Sequence, residues 1–203
     1  MHSEILTAEQ QRLLPIVARF KNKFGLVGGT AIALYIGHRE SIDFDMFSPD
    51  EFRNSNIRSV FSRAGKKIDV LRSLTGQFTF TVDGVYMTFF QFPYPIEYSE
   101  PFGEAARLPT LLTLAAMKAF ALGQRSKWKD YVDLYFILRD FHPLDEIGAT
   151  AQELFGSEFN AKLFRQQLSY FNDINYAEPV VFRSGFEAPD EEIRRALTEY
   201  SLV

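Results

Sequence analysis

Leu26-Val-Gly-Gly-Thr-Ala-Ile-Ala-Leu-Tyr-Ile-Gly-His-Arg-Glu-Ser-Ile-Asp-Phe-Asp-Met-Phe-Ser48 is the most informative segment of the chain. A short apolar strand, Phe24 to Val27, runs into two glycines. A compact apolar helix, Thr30 to Ile36, follows and stops at Gly37. Glycines ahead of a helix let backbone N–H groups come close to a phosphate, and the helix N-terminus favours anions. Ile42 to Phe47 then reads as a strand carrying Asp43 and Asp45. Side chains alternate faces along a strand, so Asp43 and Asp45 share one face while Phe44 packs behind. Two adjacent carboxylates repel unless a cation or a proton lies between them. Mg²⁺ accepts one or two carboxylates and fills its shell with water and substrate phosphate. The spacing therefore points to metal-assisted phosphoryl or nucleotidyl transfer, with Gly28, Gly29 and Thr30 as the phosphate pocket.

Outward from this stretch, Thr7 to Asn22 reads as a helix, with Leu13, Leu14, Val17 and Phe20 on one face and Thr7 as cap. Ser48-Pro-Asp-Glu51 predicts a helix start, with the helix running to about Arg63. Three strands follow, Lys67 to Ser73, Gln77 to Val82 and Val85 to Phe92; Asp83-Gly84 joins the last two as a tight hairpin. Pro93, Pro95, Pro101 and Gly103 mark a loop, and beyond it no strand is expected. Helices are expected over Thr110 to Leu122, Lys127 to Arg139, and about 143–155, 158–170 and 189–201, with coil from Asn172 to Ala188. The expected plan is an α/β core over residues 1–97 and a helical region over 98–203.

The 203 residues make one domain, or one domain with an appendage, and 24% charged residues argue against disorder. Phe is over-represented at 21 residues, which predicts a core built on aromatic packing. No cysteine is present, so disulfides, thiolate zinc sites and a cysteine nucleophile are all excluded. The N-terminus is too polar for a signal peptide, and no run reaches the roughly 18 apolar residues of a membrane span. A cytoplasmic protein with no membrane partner is the expectation. Net charge is −4, which does not announce nucleic-acid binding, although Lys118, Arg125, Lys127 and Lys129 form a local basic stretch.

Beside the carboxylate strand, Arg39 has two readings, a phosphate ligand or a structural salt bridge, and Ser41 either lines the pocket or caps. His38 reads as a surface loop residue. Lys118 sits in an otherwise apolar helix turn, where a bare ammonium is costly without an anion. Asp130 and Asp133 share a helix face. Lys118 either meets a phosphate or forms an internal pair with Asp130 or Asp133. Trp128 either packs or stacks on a base.

Gly-Gly-Thr-Ala-x-Ala-Leu-Tyr-x-Gly-His-Arg-x-Ser-x-Asp-Phe-Asp-x-Phe, then Tyr94-Pro, then Met-Lys and Arg-x-x-x-Lys-Asp-x-x-Asp-Leu-Tyr-Phe, resembles the AbiEii/AbiGii toxin family. That family lies in the DNA polymerase β-like nucleotidyltransferase superfamily, and the resemblance covers most of residues 24–140. It implies a small mixed sheet with flanking helices, followed by a helical C-terminal half. It also implies transfer of a nucleotide from an NTP to an acceptor, RNA such as tRNA or a protein, by the toxin of a type IV toxin–antitoxin system with a cognate antitoxin. By the same resemblance Gly29 and Thr30 hold the triphosphate, Asp43 and Asp45 bind Mg²⁺ (or Mn²⁺), Lys118 contacts phosphate and Asp130 completes the catalytic set. One position departs from the superfamily: Thr88 stands where a third metal-binding carboxylate is expected, with Asp69 and Asp83 as the remaining candidates. Two readings follow, an active transferase and a nucleotide- or protein-binding module of the same fold.

Overall fold

The computed structural model describes residues 1–202. It divides into two compact units, Met1–Leu34 with Ser41–Thr110, and Tyr35–Glu40 with the chain from Leu111 onward.

The first unit is built on a five-stranded mixed sheet in the order β1-β2-β5-β4-β3. Its strands are β1 (Gly25–Val27), β2 (Asp43–Ser48), β3 (Asp69–Leu74), β4 (Gln77–Val82) and β5 (Val85–Gln91). Strand β2 runs parallel to β5 and antiparallel to β1, while β5-β4-β3 is an antiparallel meander. The β4–β5 turn is the expected Asp-Gly hairpin. Asp83 and Gly84 have φ of 50° and 80°, the left-handed pair that a type I′ turn requires. Burial alternates strictly along β2 and β4. One sheet face is therefore a phenylalanine core and the other stays partly open. Phe80 and Phe89 stack at 6.1 Å, Phe20 meets Phe89 edge-on at 4.8 Å, and Phe61 meets Phe80 at 5.0 Å. Each such pair adds about 0.5–1.5 kcal/mol beyond the area it buries. Helices α1 (Ala8–Val17) and α3 (Asn54–Arg63) supply apolar faces to this unit, α1 starting from a complete Thr7–Gln10 capping box.

Two expectations fail here. The helix predicted from Ser48 begins only at Asn54. Ser48 is the last residue of β2: it pairs with Gln91, and its carbonyl accepts from Phe92 N–H at 2.8 Å. Its hydroxyl still accepts from Asp50 N–H at 3.2 Å, but sheet pairing holds the backbone extended. The Pro- and Gly-rich segment after residue 97 is not strand-free either. It holds a short antiparallel pair, β6 (Glu100–Phe102) and β7 (Ala106–Leu108). Pro101 sits there on a two-stranded ribbon, where a missing N–H is tolerated.

The second unit is helical, with α4 (Leu111–Leu122), α5 (Trp128–Asp140), α6 (Leu144–Phe155), α7 (Ala161–Leu168) and α8 (Asp190–Ser201). Each lies close to its expected span. Helix α2 (Gly28–Ile36) ends, as expected, at a left-handed Gly37 with φ 78°. The segment after it is stapled to the C-terminal coil, with Glu40 N–H donating to the Val181 carbonyl at 2.9 Å and Arg183 N–H to that of His38 at 3.0 Å. Among the described residues no helix is long and apolar enough to cross a membrane.

Candidate active site

Register brings the glycine turn to the carboxylate strand. Val27 is the Cα partner of Asp45 across β1–β2, so the next residue, Gly28, opens helix α2 directly beside that carboxylate. Gly28 has φ +72°, and a Cβ built on it would stand 2.2 Å from Asp45 Oδ2. Glycine is required twice at this position, once for backbone conformation and once because a carboxylate closes over its backbone. The geometry thus gathers an acidic side chain, a helix N-terminus and, on the same strand face, Asp43. Oxygen donors of this kind suit a hard divalent ion that takes its remaining ligands from phosphate and water. Gly28→Ala is expected to cost about 1–2 kcal/mol from the left-handed backbone alone. It should also push Asp45 aside, so a thermal melt should show a lowered Tm and a transfer assay a larger loss than that shift explains.

Thr30, expected in the phosphate pocket, and Ser41, read either as pocket lining or as a cap, are buried and bonded to each other, their hydroxyls 2.8 Å apart. Thr30 Oγ1 also bonds the Asp43 carbonyl. These contacts pin the first turn of α2 to the entry of β2 and fix where Asp43 points. What Gly29 and Thr30 present to an anion is consequently the backbone N–H end of a nine-residue helix.

The open face of the sheet also shows what surrounds the carboxylates. One cross-strand row runs Asp43–Tyr86–Thr81–Asp69, and the next runs Asp45–Thr88–Thr79–Arg72. Thr88 is the direct neighbour of Asp45, and its hydroxyl lies 3.4 Å from that of Thr79. Asp69 is three strands from Asp43, on the order of 14 Å at ordinary strand spacing. Asp83 sits in the hairpin turn and pairs with Lys66. Among the described residues no group of three or more acidic, His or Cys side chains is placed to hold a metal ion, so no third carboxylate joins the pair. Tyr86 and Thr79, which sequence reasoning did not single out, become neighbours of the site through pairing alone.

A second cluster lies inside the helical unit. Asp133 is wholly buried and accepts from Arg39 Nε at 2.7 Å, from the second Arg39 nitrogen at 2.9 Å and from His38 Nε2 at 2.9 Å; Lys118 Nζ lies 3.0 Å away. A carboxylate offers about four acceptor sites, so Asp133 is saturated. Lys118 also pairs with Asp130, whose other oxygen accepts from Arg125 Nε at 3.1 Å. Burial, the largest single influence, pushes the Asp133 carboxyl up, but Arg39, Lys118 and the hydrogen bonds together hold it well below the usual carboxylate range. Asp130 is lowered by the same balance, with Lys118 foremost against burial. Burial works against the Lys118 ammonium, yet Asp130 and Asp133 raise its pKa. His38 is fully buried rather than a surface residue, because its ring is packed at 5.0 Å from Phe136 and its Nε2 is held by Asp133. Burial lowers its pKa, which leaves it neutral near pH 7. Trp128 is a packing residue, its Nε1 donating to Asp190 at 3.1 Å.

The architecture is that of a nucleotidyltransferase. A Helicobacter pylori protein described as a nucleotidyltransferase superposes with TM-score 0.63 at 16% identity, over 96% of this chain and 92% of that one. The nucleotidyltransferase toxin MenT4 of Mycobacterium tuberculosis superposes with TM-score 0.62 at 14% identity, over 95% of this chain and 80% of that one. At such identities the likeness establishes the fold. The sequence places the chain more closely. Residues 12–101 and 77–199 match the family described as the nucleotidyl transferase AbiEii toxin of type IV toxin–antitoxin systems, and the chain belongs to that family. An uncharacterized protein of Aquifex aeolicus (strain VF5) is 30% identical over 187 residues, covering 88% of each chain.

Proposed function

We propose that this protein transfers a nucleotide from an NTP to an RNA acceptor, as a cytoplasmic toxin opposed by a cognate antitoxin. The observation that carries the proposal is Asp45 closing over Gly28 at the N-terminus of α2, with Asp43 on the same strand face. Asp43 and Asp45 would hold Mg²⁺ (or Mn²⁺), which when bound would neutralise charge on the phosphate oxygens. The backbone N–H groups of Gly29 and Thr30 bind the phosphate tail, assisted by the positive end of the helix dipole. Thr30 and Ser41 keep β2 at the height where both carboxylates face that tail. Lys118, Arg39 and Asp130 enter the proposal as a preorganised charge cluster. Two of the three Lys118 donors are committed to Asp130 and Asp133, and phosphate contact requires the third.

The test is incubation with each α-labelled NTP and total tRNA, with and without Mg²⁺ or Mn²⁺. Label on RNA with matching pyrophosphate release, abolished by chelation, is the expected result. Label on protein would reassign the acceptor, and NTP binding without either product would remove the transferase reading.

Thr88 beside Asp45 favours one second reading, a binding module of this fold with little turnover, since among the described residues two carboxylates stand where a two-metal mechanism uses more. That reading expects Thr88→Asp to raise both metal affinity and turnover, because the new side chain would stand directly across from Asp45. Unchanged turnover in Thr88→Asp, together with measurable wild-type transfer, dismisses it.

A further inference from the structure

The chain is acidic overall, yet one segment is strongly basic. Between Arg53 and Leu74 there are six Lys and Arg against a single Asp, so the rest of the chain carries −9 of a total net charge of −4. The segment is α3, the turn after it and β3. Asn54 ties the start of α3 to the end of β3, donating to Ser73 Oγ at 2.9 Å and to the Leu74 carbonyl at 3.1 Å. The basic residues therefore gather around one edge of the sheet. Arg53, Arg58, Arg63, Lys67 and Arg72 are all exposed, and none of them forms an ion pair among the described residues. Like charges left unneutralised along one sheet edge repel, and a polyanion relieves that repulsion.

We propose that this α3–β3 rim binds the phosphodiester backbone of the acceptor RNA; the inference rests on the transferase reading above and deepens it. Two observations choose RNA over a protein partner. Strand β3 is the outer strand of the sheet and exposes Val70, Leu71 and Leu74, which by itself would suit an added strand from another protein. However, its register shifts between Val70 and Arg72, leaving Leu71 as a bulge that breaks the outer hydrogen-bond ladder. The rim also intersperses its charges with exposed Ser55, Asn56, Ser59 and Ser62, side chains that bond phosphate and sugar without reading sequence. Position agrees with the role. Arg72 lies in the same open-face row as Thr79, Thr88 and Asp45, so a strand held at the rim runs along the sheet toward the carboxylates.

The test is fluorescence anisotropy of a labelled single-stranded 20-mer and of bulk tRNA, titrated with the full chain across a salt series. Wild type should bind both, with log affinity falling linearly against log salt, by about 0.7 per phosphate contacted on the single strand. The triple neutral variant Arg63→Gln, Lys67→Gln, Arg72→Gln should bind at least tenfold more weakly and lose about two units of slope. Arg63→Lys with Arg72→Lys keeps the charges and should bind as wild type, which separates charge from misfolding. Unchanged affinity in the triple variant, or no RNA binding by wild type at low salt, overturns the proposal. Retained RNA binding with loss of an acidic protein ligand would assign the rim to a protein instead. NTP binding in the absence of RNA tests the NTP site separately: if wild type and the rim variants bind NTP alike while the rim variants also bind RNA normally, this inference fails and the transferase reading survives.

Discussion

Asp45→Asn is expected to lower nucleotide transfer by about 10²–10³-fold, equivalent to about 3–4 kcal/mol of transition-state stabilisation. The substitution keeps the side-chain shape that fits against Gly28 and removes the charge. The fold should therefore survive, and the loss should appear in turnover rather than in Tm. Asp43→Asn should behave alike, because both carboxylates stand on one strand face. The double variant should lose little more than either single one, since residues that act as a unit are strongly non-additive. Measurement is of labelled product per unit time, alongside a thermal melt and NTP affinity. Wild-type turnover in both single variants would remove Asp43 and Asp45 from the chemistry and with them the proposed metal site.

Asp133→Asn should be the most destabilising polar substitution in the helical unit, by about 3–5 kcal/mol, because it leaves the buried Arg39 and Lys118 without their shared counter-charge. Asp133→Asn also removes an acid dependence whose sign follows from the direction of each pKa. Asp133 and Asp130 titrate lower in the folded state than in the unfolded chain. Their stabilisation is complete above about pH 4 and is lost as pH falls from there through the folded values. His38 is also lowered, so protonation of the unfolded chain begins to erode stability below about pH 6.5. Lys118 is raised, and its contribution is complete below about pH 10 and lost as pH rises through the folded value. Wild-type stability should accordingly be flat from about pH 7 to 9 and fall in two stages on acidification. Urea unfolding between pH 3 and 9 measures this; an Asp133→Asn profile that retains the full lower stage would contradict the assignment.

Much of the first unit was legible because its signals are local. Thr7 marks a helix start, Asp83-Gly84 marks a hairpin, and alternation along β2 puts Asp43 and Asp45 on one face whatever surrounds them. The helix expected from Ser48 failed for the opposite reason: a strong local cap signal yielded to β2 pairing with β5, which extends through that residue. His38 was unreadable as a core residue because its surroundings come from distant segments, Phe136 and Asp133 on α5 and the coil at 181–183. Between the two open readings of Lys118 and Arg39, burial shows both paired with Asp133, about 15 and 94 residues along the chain.

Most element types, the glycine turn before α2, the shared face of the two aspartates and the family are legible in the residues alone. These depend on backbone sterics and on periods of two and 3.6 residues, which act over a few positions. Long-range packing is needed to see that Asp45 lies on Gly28, that Thr88 stands beside it, that Asp69 is three strands away and that Asp133 binds three basic side chains at once. Each is a matter of strand register or helix packing. Register fixes which residues become neighbours across a gap of dozens of positions, and burial fixes which charges must find a partner.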